Sequence, residues 1–124
     1  MSKQTIILDF DGVIHSYGSG WQGSPEIIKD PPVPNVNEAI QELRKNYRVV
    51  VLSSRCHQKG GIAAIKKYLK KYDIEVDDVV RDKVPAVVFV DDRAINFDGT
   101  WDQEMIEKIR NFKPWTKRKK DHTT

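Results

Sequence analysis

Two acidic pairs carry the chemistry this sequence is equipped for: Asp9 and Asp11 in "IILDFDGV", and Asp91 and Asp92 in "VVFVDDR". Each follows an apolar run, where a charged side chain needs a partner. Carboxylates gathered in one place repel, so either some keep their protons or a cation sits among them. A hard divalent ion such as Mg²⁺ suits them, because it takes a few carboxylate or carbonyl oxygens and fills its other positions with water. Another apolar run ends in "VVVLSSR", which supplies the hydroxyls of Ser53 and Ser54 and the guanidinium of Arg55. Lys83, in "RDKVP", adds a fixed positive charge of the kind that crowded carboxylate and phosphate oxygens require. Metal ion and phosphate together are the natural use of this set. Each part also has a plainer reading. Asp-x-Asp-Gly makes a turn, Asp91 and Asp92 cap the next segment, the serines are turn hydroxyls, and Arg55 and Lys83 are surface charges. Two acidic strand ends in one small chain weigh against the plain readings.

The elements that must hold these residues are legible in the apolar pattern. Thr5 to Leu8 and Tyr47 to Leu52 are short continuous apolar runs, as buried parallel strands are. Val79 and Val80 suggest a brief third strand, and "PAVVFV" from Pro85 to Val90 a fourth. Between the first two, Val36, Ala39, Ile40 and Leu43 recur at helical spacing, so "NVNEAIQELRKN" predicts an amphipathic helix. A second helix follows Gly60 and Gly61, with Ile62, Ile65 and Leu69 on one face and lysines on the other, and a last one carries Met105, Ile106 and Ile109. Alternating strands and helices imply an α/β fold, an open doubly wound parallel sheet of Rossmann-like, three-layer type. In such sheets ligands bind beyond the carboxyl ends of the strands, which is where the acids, Ser53 and Arg55 fall. Side chains two apart on a strand share a side, so the carboxylates of Asp9 and Asp11 are expected together. The stretch from Tyr17 to Pro34 is dense in glycine and proline and reads as a long loop over the site.

Composition narrows the field. With 124 residues, 39% hydrophobic and 31% charged, the chain is expected to make one domain over residues 1–112 and a basic tail over 113–124. No apolar stretch approaches the roughly 18 residues that span a bilayer, and the N-terminus lacks a secretory pattern, so a cytoplasmic protein without a membrane partner is expected. Cys56 is the single cysteine and forms no internal disulfide. A net charge of +3 and a pI near 9.0 favour anionic partners weakly. The tail interleaves Trp115 with Lys113, Lys117, Arg118, Lys119 and Lys120, a composition for nucleic-acid contact or for plain solvation. His15, His57 and His122 show no metal-ligand spacing and are read as surface residues.

The ordered set "DFDGV", "VVLSSR", "RDK" and "VFVDD" resembles the haloacid dehalogenase superfamily, whose phosphohydrolases carry an Asp-x-Asp-Gly motif, a Ser or Thr, a Lys and an acidic pair after successive strands. "SSR" is similar to the phosphatase domain of phage polynucleotide kinase, and "RDK" with "VDDR" to the 5'(3')-deoxyribonucleotidases. "DFDGVIHSYGSGW" with "DDRAINFDGTW" looks like small phage-encoded phosphatases of the superfamily. The resemblance implies a Mg²⁺-dependent phosphomonoesterase working through an aspartyl-phosphate. Asp9 would be the nucleophile. Asp11 would be the general acid and base, with a pKa raised by burial and acidic neighbours. Ser53 would bond a phosphoryl oxygen and Lys83 would steady the charge. Arg55 and Ser54 would bind the substrate, Arg55 through a bidentate phosphate contact. The metal would lie among Asp9, the Asp11 backbone carbonyl and Asp91 or Asp92. Many relatives have a further acid where this chain has Asn96, with Asp98 two beyond it. There is no room for a cap domain, and an open site suits bulky substrates such as nucleic-acid ends or phosphoproteins, while the Trp21 loop could fold over a nucleotide with an aromatic face for its base.

A receiver-like phospho-acceptor switch places its Asp on a middle strand, whereas the middle run here ends in "LSSR". A pure nucleic-acid-binding module would use the tail. A cysteine phosphatase is excluded, because its loop needs Arg six residues after Cys and position 62 is Ile62. Cys56 is read as a small half-buried residue.

Overall fold

The computed structural model describes residues 3–117. The tail beyond Lys117, including Arg118, Lys119, Lys120 and His122, lies outside the described residues. Four strands, β1 (Gln4–Asp9), β2 (Tyr47–Leu52), β3 (Asp78–Val80) and β4 (Val88–Val90), form an all-parallel sheet in the order β3-β2-β1-β4. Three α-helices, α1 (Val36–Arg44), α2 (Gly61–Lys71) and α3 (Gln103–Arg110), and two short 3-10 turns, Ser54–His57 and Trp115–Lys117, complete the described elements. The architecture is α/β and Rossmann-like, as the alternation predicts.

The core lies on one face of the sheet. Ile6 and Leu8 of β1 sit beside Val49 and Val51 of β2, and Ile40 of α1 and Ile65, Tyr68 and Leu69 of α2 pack onto them. Ile7 and Val50, on the other face, are buried as well, which is why the two central strands read as unbroken apolar runs. Asp77 ties β3 into this frame: its carboxylate accepts from the Val49 N–H at 2.7 Å while its own N–H donates to the Val49 carbonyl at 2.8 Å.

The far edge departs from the sequence reading. The run from Pro85 to Val90 makes a strand only over Val88–Val90, and those side chains stay 41 to 49% exposed. β4 is outermost, paired with β1 along one side only. An apolar run therefore marks an edge strand as readily as a buried one. α3 has the expected apolar spacing, yet none of its residues is buried, and Ile106 and Ile109 remain exposed. The segment from Tyr17 to Pro34 contains no helix or strand, as expected of a loop, but it is fastened down by bonds described below. No helix among the described residues is long and apolar enough to cross a membrane.

Candidate active site

Parallel register brings the acids together. Ile6, Ile7 and Leu8 lie beside Val88, Phe89 and Val90, so Asp9 and Asp91, one step further on, leave adjacent strand ends. One oxygen from each of Asp9, Asp91 and Asp92 falls within 4.8 Å of the others, a spacing that a single cation could bridge. The chemistry of the set fits such an ion. Both oxygens of Asp92 are cut off from solvent and find no donor among the described residues unless Asp9 carries a proton. Asp9 is pushed up to about 8 by burial, by its hydrogen bond with Asp92, and by the charges of Asp91 and Asp92. A proton on Asp9, given to Asp92, is the metal-free answer to the repulsion, and a divalent cation is the other. Asp91 is oriented by the Arg93 N–H, which donates to it at 2.8 Å.

The first motif splits, contrary to the expectation from strand periodicity. β1 ends at Asp9 and the chain bends through Phe10–Gly12, so the rule that places residues two apart on one side lapses before Asp11. The Asp11 carboxylate turns instead to His15 and Arg55. Its Oδ1 accepts from His15 Nδ1 at 2.8 Å and Arg55 Nη2 at 3.1 Å, and its Oδ2 from Arg55 Nε at 2.8 Å. Burial raises its pKa, but the hydrogen bonds of His15 and Arg55 and the guanidinium charge outweigh that, holding the carboxyl below its ordinary value. The raised pKa expected for Asp11 is therefore not found.

A pocket of about 420 Å³ opens over these strand ends. Asp9, Asp11, Ser53, Ser54, Asp91 and Asp92 line it, as do Tyr17 and Arg93. Ser53 is buried at the start of a single 3-10 turn (Ser54–His57), its Oγ accepting from the Arg55 N–H at 3.2 Å, and Ser54 is exposed. Arg55, only 1% exposed, faces inward. Besides Asp11 it donates through Nη1 to the carbonyls of Pro25 at 2.9 Å and Ile27 at 3.2 Å, and the Trp21 ring lies against its guanidinium. Its fork thus holds the loop to the motif. Lys83 lines a neighbouring depression with His57, Arg81 and Asp82 that shares the wall of Leu52, Ser53 and Ser54. Its ammonium sits over the ring of Phe89, which lines the acid pocket.

Two glycines make these approaches feasible. Gly61 passes so close to the Arg55 carbonyl that a Cβ would strike it. Gly12, at φ +87°, lies against the Asp92 carboxylate, where a methyl group would overlap Oδ2. Gly12→Ala is expected to displace Asp92 and raise the Mg²⁺ concentration needed for half-maximal thermal stabilisation by roughly 10–100-fold, the usual scale for disturbed ligand support. A Mg²⁺ titration of the melting temperature reads this directly, and an unchanged midpoint would remove Asp92 from the cation site.

Sequence reasoning missed His15. Treated as a surface residue, it is 2% exposed, between Phe10 and Tyr68. The available signal was its place four residues after Asp11, close enough for a local contact. Cys56 is buried rather than half-buried. Trp115, assigned to the tail, donates from Nε1 to the Gly12 carbonyl at 2.6 Å.

No family model matches the chain, and no curated protein does. A solved structure does: a chain of "Structure of Pnkp1/Rnl/Hen1 complex", with a TM-score of 0.53 and 18% identity. The match covers 94% of this chain and 37% of that one, so the chain spans little more than a third of its neighbour's length. At this identity the likeness concerns the fold. Fold and site together define an α/β, Rossmann-like protein with an acid-lined pocket at the carboxyl ends of its parallel strands.

Proposed function

We propose that this chain is a Mg²⁺-dependent phosphomonoesterase of the haloacid dehalogenase type, a three-layer domain without a cap, acting on nucleotides or nucleic-acid phosphate ends. The observation that carries the reading is the division of labour among the acids. Asp9, Asp91 and Asp92 converge as a cation site, while Asp11 is held apart in the same pocket with a different set of partners. Covalent phosphoryl transfer uses two carboxylates, one to attack and one to move a proton, and a cation in the Asp9 cluster would put Asp9 in the ionised form that attack requires.

In this reading an Asp9 oxygen attacks phosphorus and the bond to the leaving oxygen breaks; Asp11, kept ionised by Arg55 and His15, relays to that oxygen the proton carried by the ester monoanion. Water then attacks the aspartyl-phosphate at phosphorus and Asp11 takes its proton, which regenerates the Asp9 carboxylate. Asp9, Asp91 or Asp92 and the Asp11 carbonyl would hold the Mg²⁺, which would supply charge neutralisation for the phosphoryl oxygens. Ser53 and Ser54 offer hydroxyls to the same group, and Lys83 contributes positive charge from the adjoining wall. Arg55 is read as holding Asp11 and the loop, with substrate phosphate meeting Ser54 and Arg93 first.

The neighbouring structure is of a Pnkp1/Rnl/Hen1 complex, and Arg81 and Lys83 beside the pocket add positive charge, partly offset by Asp82, that favours a nucleic-acid substrate. The test is phosphate release from an aryl phosphate with and without Mg²⁺, followed by deoxynucleoside monophosphates against 3'-phosphorylated oligonucleotides at two salt concentrations. Mg²⁺-dependent release, and an oligonucleotide preference that fades with salt, are expected. A protein that takes up phosphate without turnover is a receiver-like switch, and one that binds oligonucleotides without releasing phosphate is a binding module. Either result overturns the proposal.

A further inference from the structure

His15 makes a pair of hydrogen bonds that together determine which ring nitrogen carries its proton. Nε2 lies 3.0 Å from the backbone N–H of Asp30, which can only donate, so Nε2 accepts. In the neutral ring the proton is then on Nδ1, aimed at Asp11 Oδ1 2.8 Å away. The ring is confined by Phe10, stacked at 5.7 Å, and by the edge-on ring of Tyr68 at 5.5 Å. Tyr68 also donates from its hydroxyl to the Asp30 carbonyl at 2.9 Å, holding the residue on which Nε2 depends. The backbone closes the unit, with the Gly12 N–H on the His15 carbonyl at 2.8 Å.

The consequence lies in how the Asp11 oxygens are used. Oδ1 accepts from both His15 and Arg55, which uses both of its lone-pair directions, whereas Oδ2 accepts from Arg55 alone. We propose that His15 is a positioning residue that occupies Oδ1 and thereby leaves Oδ2 as the oxygen through which Asp11 exchanges its proton. The inference rests on the reading of Asp11 as the proton-transfer group. It adds that the imidazole, seated by Asp30, ties this group to the loop that covers it.

The experiment compares His15→Phe, His15→Asn and His15→Gln for turnover of an aryl phosphate at saturating Mg²⁺, with melting temperatures as the check on folding. His15→Phe is expected to lower kcat by roughly 100-fold and leave KM within about twofold, because a misplaced proton-transfer group costs rate and not binding. His15→Asn keeps an N–H near the Nδ1 position and is expected to recover about tenfold of that loss, whereas His15→Gln, which can serve Asp30 but offers Asp11 no donor, recovers none. Should His15→Phe fail to fold, the contrast of Asn with Gln decides. Gln matching or exceeding Asn, or a Phe variant with unchanged kcat, would show that the ring merely seats the loop. Nitrogen NMR of the wild-type imidazole reads the same claim without turnover: the Nδ1–H tautomer is expected, and the Nε2–H tautomer overturns it. A wild type inactive on every ester removes the phosphatase reading and this inference together, whereas an active wild type with any of those contrary results removes this inference alone.

Discussion

Asp9→Asn should lower Mg²⁺-dependent phosphate release by roughly 10⁴-fold or more, the scale expected when a covalent nucleophile is lost. The substitution nearly preserves shape, so the strand end and its register with β4 remain. In the proposed reaction an amide oxygen cannot form the aspartyl-phosphate, and a bound cation would lose one of its carboxylates. Residual activity would come from charge placement by Asp91, Asp92 and the pocket hydroxyls. The variant should fold at least as well as the parent without metal, because an amide at position 9 ends the repulsion with Asp91 and Asp92 and offers the unpartnered Asp92 oxygens a donor. Steady-state phosphate release, far-ultraviolet circular dichroism and a thermal melt measure all of this. More than a tenth of wild-type turnover in a folded variant would take the nucleophile assignment away from Asp9.

The metal-free protein should lose stability as the pH rises from about 4 to about 8. The Asp9 carboxyl has a pKa of about 8 in the folded chain against an ordinary value of 3.8, chiefly through burial and then through Asp92 and Asp91. Between those values the folded state keeps a proton that the unfolded state releases, so the unfolding free energy falls with rising pH. The contribution is complete below the unfolded value and gone above about 8. Asp11, Asp30 and Asp77 act the other way, since their carboxyls are held below 3.8 and their contribution disappears as acid protonates them. Their window lies below the Asp9 window, so a maximum near pH 4–5 is expected. Water at the pocket mouth moderates the effect, and a fall in melting temperature of roughly 5–15 °C by pH 8 corresponds to a few kcal/mol for a domain of this size. Saturating Mg²⁺ should reverse most of that fall, because cation binding takes Asp9 in its ionised form and releases the proton. Asp9→Asn should flatten the slope. Melting temperatures between pH 4.5 and 8.5, in chelator and in Mg²⁺, give the answer, and a flat or rising profile in chelator would contradict the buried acid cluster.

The two effects share an origin in the open end of the sheet. A carboxylate at the tip of a buried strand is costly unless it is protonated or paired, and the cluster retains that cost until a cation relieves it. Asp11 sits a few residues away with the opposite bias because a buried arginine and a buried histidine face it. The contrast comes from neighbours, not from residue type.

Much of this could be read from the linear chain, for a definite reason. Buried parallel strands must be continuous apolar runs, and the polar residues that follow them must lie at one end of the sheet. Asp9, Ser53, Asp91 and Asp92 were therefore expected at one end of the sheet, and the helices between β1 and β2 and between β2 and β3 were legible too, whereas the pairing of β4 with β1 that makes the acids neighbours was decided by the fold. Tertiary structure alone decided how the polar groups divided. The Asp11–Arg55 pair joins residues 44 positions apart, and it forms because the chain leaves the strand after Asp9 and Gly61 lets α2 approach the Arg55 carbonyl. The burial of His15 follows from the folding of the loop over Phe10 and Tyr68, and the exposure of β4 from its place at the sheet edge. Local sequence prescribes which way a strand ends, but the partner of a side chain beyond that end depends on packing between segments distant in sequence, which no local pattern encodes.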